Sequence, residues 1–225
     1  SLPEFIKSES IFEYPPVVMS SDTRVCSVAM HEALLAGIMA QGVNVVDIGL
    51  SSTPTFYFAV GFLKHNGGIQ ISASHNPSEW NGFKMVRAMA APISGDTGIY
   101  AIRDIVVENQ FPVSLEPGTY TRYENILDDL IREQTKRFTL SEFKPLTIVA
   151  DAANAMGALD LTALFDKLPC KLIPINFELD GSFPSHEADP LKLENIELLQ
   201  EKVKEHKADL GITTDGDGDR IFFVD

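Results

Sequence analysis

Only two cysteines, Cys26 and Cys170, occur in 225 residues. They lie far apart and are flanked by apolar sequence, so a disulfide framework is excluded and two reduced thiols are expected. Cations are scarce: 18 Lys and Arg stand against 32 Asp and Glu, a formal net charge of −14. Nucleic-acid backbones are bound by clustered Lys and Arg, so no nucleic acid is expected as partner. No apolar run approaches the ~20 residues that span a bilayer, so no membrane is expected either. Residues 1–20 lack the basic start and long apolar stretch of a secretory signal, and the reduced thiols fit a cytoplasmic location, which is the one expected. The five histidines are scattered, which disfavours a phosphatase holding two metals on histidine and carboxylate ligands.

What is present suits a globular chain. Hydrophobic residues make up 44% and charged residues 22%, enough to bury real cores, in one large domain or two of ordinary size. Apolar runs bounded by turn residues alternate with segments of helical period, the pattern of an α/β protein. Strands are predicted at Val17–Met19, Val43–Ile48, Gly68–Ser72 and Phe83–Val86. Between them fall a helix capped by Ser27 and ended by Gly42, and another starting at Pro54 and running to the Gly67-Gly68 break. A further helix carries Ile99, Ile102 and Val106. From Asn109 to Tyr120 the chain is irregular, with Pro112, Pro117 and Gly118, and the domain boundary is placed there: 1–120 and 121–225. The pattern then restarts with a helix from Tyr123, a strand Leu146–Ala150, a helix Leu159–Leu168 and a strand Lys171–Ile175. A helix with Ile196, Leu199 and Val203 on one face and a last strand Asp209–Thr214 complete it.

Two loops carry chemistry, and both follow strands. Ser72-Ala73-Ser74-His75-Asn76-Pro77 places a hydroxyl beside an imidazole at a turn. A serine needs a base or a metal to become a nucleophile. His75 is adjacent, but neighbours on an extended chain usually point in opposite directions, so it need not be the base for Ser74 and can act on the substrate instead. Lys84 follows the Asn81-Gly82 turn and can come back beside Ser74. The plain alternative is a polar turn whose side chains serve the backbone, with Lys84 a solvated surface residue.

The second loop, Asp215-Gly216-Asp217-Gly218-Asp219-Arg220, has three carboxylates at alternate positions, spaced by glycines that let the backbone curl. Convergent carboxylates repel unless a cation neutralises them, and all-oxygen ligation selects a hard ion, Mg²⁺ or Ca²⁺. Arg220 can pair with a carboxylate or grip a phosphate at two points. A helix-loop-helix calcium loop would need glycine in its sixth position, where Arg220 stands, and helical flanks where Asp209–Thr214 reads as strand. A solvated acidic turn is the remaining alternative.

Together the segments resemble the α-D-phosphohexomutase family of phosphoglucomutases and phosphomannomutases. Ile71 to Pro77 with Trp80-Asn81-Gly82-Phe83-Lys84 resembles its phosphoserine loop, and Leu210-Gly211-Ile212 with Asp215 to Arg220 its metal loop. Ala91 to Asp96, Asp151 to Asn154, Asp189-Pro190 and Glu194-Asn195 are also similar. The resemblance implies two three-layer α/β/α domains with mixed, mostly parallel sheets, the first two of four, the second truncated at its C-terminus. It implies that Ser74 is phosphorylated in the active enzyme and that Asp215, Asp217 and Asp219 bind Mg²⁺, a phosphoserine oxygen completing the set. Lys84 and His75 would be general acid and base at the sugar hydroxyl, and Arg220 would contact phosphate.

The implied reaction interconverts hexose 1-phosphate and hexose 6-phosphate, through a 1,6-bisphosphate that turns over in the site; glucose 1,6-bisphosphate is the expected activator. Trp80 to Lys84 leans toward the phosphomannomutase/phosphoglucomutase branch over the glucosamine branch. Departures from the family are large. The sugar-selecting and phosphate-binding loops of the later domains have no counterpart, and Ser1–Tyr14 shows no glycine- and arginine-containing segment. Arg24 of Ser20-Ser21-Asp22-Thr23-Arg24 is taken as structural. The expectation is therefore a portion of an enzyme, inactive without the missing C-terminal domains. A non-catalytic module that binds metal or sugar phosphate is the alternative.

Overall fold

The computed structural model describes residues 15–111, 114 and 116–225; expectations placed on Ser1–Tyr14 and on Pro112 lie outside them. The chain runs β1 (Val17–Ser21), α1 (Ser27–Ala40), β2 (Val45–Leu50), α2 (Thr53–Phe62), β3 (Gly67–Ile71), β4 (Phe83–Arg87), α3 (Tyr100–Glu108) and β5 (Tyr120–Arg122). It continues with α4 (Ile126–Thr135), β6 (Thr147–Asp151), α5 (Gly157–Phe165), β7 (Lys171–Ile175), α6 (Glu197–His206), β8 (Leu210–Thr214) and β9 (Ile221–Val224). Two sheets result, ordered β4-β3-β1-β2-β5 and β7-β6-β8-β9. All pairings are parallel except β3–β4 and β8–β9, which gives the mixed, mostly parallel sheets expected.

Strand alternation builds the layers, because successive side chains point to opposite faces. In the second sheet Ile148, Ala150 and Ile212 pack on Leu161 and Phe165 of α5, while Val149 packs on Leu199 and Val203 of α6. In the first, Val18, Ile48 and Val86 pack on Phe56, Ala59 and Val60 of α2. Full burial of each large side chain contributes about 1.5–3 kcal/mol. β5 pairs with β2, Val45 opposite Tyr120 and Asp47 opposite Arg122, so the first sheet extends past residue 120, where the sequence division was drawn. Ile126, at the start of α4, is buried in that same first core.

Two local readings are corrected. Ser27 does not cap α1: Cys26 holds the cap position without a side-chain bond, and Ser27 Oγ donates to Asp22 at 2.8 Å. A buried carboxylate needs donors more than an open helix end needs an acceptor. The strands also do not end at Thr214. Gly218, at φ 74, turns the chain back so that β9 pairs with β8, Thr214 opposite Ile221.

Those reversals place the chemistry. In each sheet the chemically distinctive loop joins a strand of the parallel set to an antiparallel neighbour: residues 72–82 between β3 and β4, residues 215–220 between β8 and β9. Each therefore lies beyond the carboxyl end of parallel strands, where open α/β sheets bind ligands.

Candidate active site

The two loops meet. Ser74 Oγ donates to Asp215 Oδ2 at 2.9 Å across 141 residues of sequence, and Arg220 Nη2 donates to the same Oγ at 3.2 Å. Ser74 has φ 53, in the left-handed region that a non-glycine residue adopts only when its surroundings over-determine it. Its amide donates to Ser72 Oγ at 3.0 Å and its carbonyl accepts from Arg24 Nη2 at 2.7 Å. Asn76 closes the turn, its amide and its side-chain nitrogen both donating to the Ala73 carbonyl.

The three carboxylates of the 215–220 loop converge as expected. Asp215, Asp217 and Asp219 each offer an oxygen within 4.8 Å of the others, and the first two are fully buried. Arg220 reaches Asp215 Oδ2 through Nε at 2.9 Å and Nη2 at 2.7 Å, while its amide donates to Oδ1 at 3.0 Å. Lys84 comes back over the loop, its Nζ bonding Asp217 Oδ2 and reaching Asp219 Oδ2 at 2.7 Å. β4 puts it there: Lys84 stands opposite Gln70 in the antiparallel pair.

The charges set the protonation pattern. Burial, then the neighbouring Asp217 charge, pushes the Asp215 carboxyl above the usual range. Burial pushes Asp217 the same way, but the Lys84 charge and the bonds from Lys84 and Thr53 outweigh it and hold Asp217 below. Burial alone would depress Lys84, and the Asp217 and Asp219 carboxylates raise it instead. Neighbouring carboxylates pushed apart in this way are a frequent mark of working sites.

Three of these features fit a hard divalent cation. The donors are all oxygen, they converge, and Asp217 Oδ1 is buried without a hydrogen-bond partner among the described residues, a costly arrangement unless a cation meets it. His75 is half-buried and makes no bond to Ser74; its Nδ1 is likewise buried without a partner among the described residues.

Sequence reasoning missed two contributors. Thr53 Oγ1 lies between Gln70 Oε1, at 2.6 Å, and Asp217 Oδ2, and its amide donates to the Asp217 carbonyl at 2.8 Å. The Thr53-Pro54 helix start just after β2 was the available signal. Arg24, read as structural, is bonded to the carbonyls of the Ser74 loop.

Known proteins share this fold. The model of phosphoglucomutase/phosphomannomutase α/β/α domain I matches residues 6–112, and that of domain II matches residues 127–225. The chain belongs to the phosphoglucomutase/phosphomannomutase family. Among its relatives, a protein of Xanthomonas campestris pv. campestris (strain B100) named for phosphohexose mutases is 41% identical over 210 residues, covering 93% of this chain and 47% of its own length. A phosphomannomutase of Vibrio cholerae is 37% identical over 227 residues, covering 99% and 49%. The crystal structure of a phosphoglucomutase/phosphomannomutase family protein from Burkholderia thailandensis superposes with a TM-score of 0.86 at 33% identity, over 93% of this chain and 46% of that one. The chain spans about half the length of the curated relatives it matches. Among the described residues, no helix is long and apolar enough to cross a membrane.

Proposed function

We propose that this chain carries the phosphoryl-donor part of an enzyme that interconverts hexose 1-phosphate and hexose 6-phosphate through a hexose 1,6-bisphosphate, with Ser74 as the residue that takes and gives the phosphoryl group. The observation that supports it most is the 2.9 Å contact of Ser74 Oγ with Asp215, made under the Arg220 guanidinium.

Each residue has a role that follows from its place. Phosphorylated Ser74 gives its phosphoryl to the free hydroxyl of a hexose monophosphate: the Ser74 O–P bond breaks as the sugar O–P bond forms, and the hydroxyl's proton passes to a neighbouring base. The 1,6-bisphosphate so formed turns over in the site, and its other phosphoryl returns to Ser74 as that sugar O–P bond breaks and the sugar oxygen takes up a proton. Arg220 offers N–H donors at the oxygen that carries the phosphoryl, the two-point recognition a guanidinium gives phosphate. Lys84, half-buried on β4, and His75, beside Ser74, are the groups available to hold or pass the proton of the sugar hydroxyl. Asp215, Asp217 and Asp219 would hold Mg²⁺, with an oxygen on Ser74 completing the protein's share. Such an ion, when bound, offsets the negative charge of the transferring phosphoryl. Thr53 fixes the Asp217 side chain from the first domain.

The relatives are about twice as long, and we assign sugar selection to sequence outside this chain. Mutase turnover by the chain alone is therefore expected to be negligible. The two free cysteines accord with a reducing, cytoplasmic setting. Peptide mass spectrometry at Ser74, before and after incubation with Mg²⁺ and glucose 1,6-bisphosphate, tests the reading. Phosphate that appears on Ser74 and is lost in Asp217→Asn supports a working donor site. Ser74→Ala that captures phosphate as well as the parent chain refutes the nucleophile and leaves a binding module.

A further inference from the structure

Arg24 is a fully buried arginine whose every N–H is spoken for. Nε donates to Asp22 Oδ2 at 3.0 Å. Nη1 donates to the carbonyls of Pro77 at 2.5 Å and Trp80 at 2.9 Å. Nη2 donates to those of Ser74 and Asn76, both at 2.7 Å. A guanidinium has five N–H donors in one rigid plane, and here one meets the compensating carboxylate and four meet carbonyls of the 74–80 turn. Asp22 is itself buried and held by Ser27 Oγ, and Ser27 Oγ accepts from the Asn81 side chain at 2.9 Å. The far end of the loop is thus tied into the same network.

The network reaches the second domain too. The guanidinium lies 5.0 Å from the Phe183 ring centroid. Gly181 packs so near that a Cβ on it would sit 2.6 Å from the Arg24 Cα. The carbonyl of Ser74, gripped by Arg24, is also closely approached by Gly216 of the 215–220 loop.

We propose that Arg24 is the positioning residue for the nucleophile: it fixes the Ser74 carbonyl, hence the left-handed backbone of Ser74, and so aims Oγ at Asp215 and Arg220 across the domain junction. The proposal rests on the phosphoryl-carrier reading of Ser74 and adds what holds that serine in place. Lysine cannot substitute, because an ammonium donates three bonds from one point and cannot reach carbonyls spread along a turn. Arg24 touches none of the reacting atoms and acts through the loop backbone.

The test uses Arg24→Lys, which keeps the positive charge beside Asp22, together with two readouts on the intact chain. Amide hydrogen exchange of residues 74–80 is expected to speed up about tenfold or more while β6 and β8 amides stay protected, since local opening is uncoupled from global unfolding. The saturating rate of Ser74 phosphorylation by glucose 1,6-bisphosphate is expected to fall about a hundredfold, with the half-saturating concentration unchanged, as for a misplaced but otherwise intact nucleophile. A folded Arg24→Lys with parental exchange over 74–80, or with parental phosphorylation rate, overturns the proposal. Should Arg24→Lys fail to fold, Phe183→Leu, which removes only the ring beneath the guanidinium, must loosen the same amides; unchanged exchange there overturns it equally. Absence of phosphate on Ser74 in an active full-length parent refutes the carrier reading, and exchange over 74–80 then decides the Arg24 contact on its own.

Discussion

Gly216 packs so closely on Ser74 that the Cβ it lacks would lie 2.4 Å from the Ser74 carbonyl oxygen. The obstacle is backbone, already held by Arg24, so it cannot turn aside as the tip of a flexible side chain can. Gly216→Ala is expected to push the two loops apart at a cost of about 1–3 kcal/mol from overpacking. Ser74 phosphorylation should slow about a hundredfold, the penalty of a displacement near 1 Å at a reacting group. Gly37→Ala is the control, because a Cβ there meets nothing within 4 Å and a helix gains up to ~1 kcal/mol from the change. Urea denaturation and phosphopeptide quantification check both. Equal behaviour of the two variants would contradict the close contact.

Lys84 shares the carboxylates that would hold a divalent ion, bonding Asp217 and Asp219 at once. Its side chain is 23% exposed, so loss of the pair costs less than at a wholly buried site, about 2 kcal/mol. Lys84→Met is expected to lower Tm in metal-free buffer and to bind Mg²⁺ more tightly than the parent, because the competing ammonium is gone. Mg²⁺ should then raise Tm further in the variant than in the parent at equal concentration. Calorimetric titration with Mg²⁺ measures this directly; identical affinities in the two proteins would show that Lys84 and the ion do not compete.

Much of this was legible in the sequence because the signals are local. The alternation of Ile148, Val149 and Ala150 announces a two-faced strand, and Asp215 to Arg220 carries its own spacing. Short edge strands were not legible: β5 is exposed along its length, and β9 has only four residues, alternating exposed and half-buried, too short a run to announce a strand. Ser27 was misread because a cap and a donor to Asp22 look alike until the fold brings Asp22 within reach. The roles of Thr53 and Arg24 were hidden for a related reason. Their partners lie 164 residues away for Asp217 and 50 or more away for the turn carbonyls, and no local pattern records that choice.

His186 carries a pH-dependent part of the stability. Its Nε2 lies 3.1 Å from Oδ2 of the buried Asp151, which also accepts from Asn176 and the Ala153 amide. The Asp151 bond raises the imidazole above its usual value, although burial opposes it. A raised folded-state value means the stabilisation is complete below the unfolded value, about 6.5, and is lost as pH climbs through the folded one. The parent chain should therefore lose stability as pH rises from about 6.5, and His186→Gln should be weaker at low pH and flat across that window. Urea midpoints at several pH values decide it; parallel curves would show that the Asp151 contact does not favour the charged ring.

Asp160 works in the opposite sense. It lies in the first turn of α5, against the start of α2, where Thr55 Oγ1 donates to its Oδ1 at 3.0 Å. Burial pushes its carboxyl up, and the bonds from Ser52 and Thr55 only partly oppose that. An acid whose folded-state value is raised binds more protons folded than unfolded, so stability falls as pH rises from about 3.9 through the folded value, then stays lower. Asparagine keeps the Oδ1 acceptor and removes the charge. Asp160→Asn should accordingly be more stable than the parent at pH 7, with the gap closing as pH falls toward about 4. Chemical denaturation at both pH values provides the check. A gap of the same size at each would mean that the substitution acts through packing, and that the charge on Asp160 is not what the fold resists.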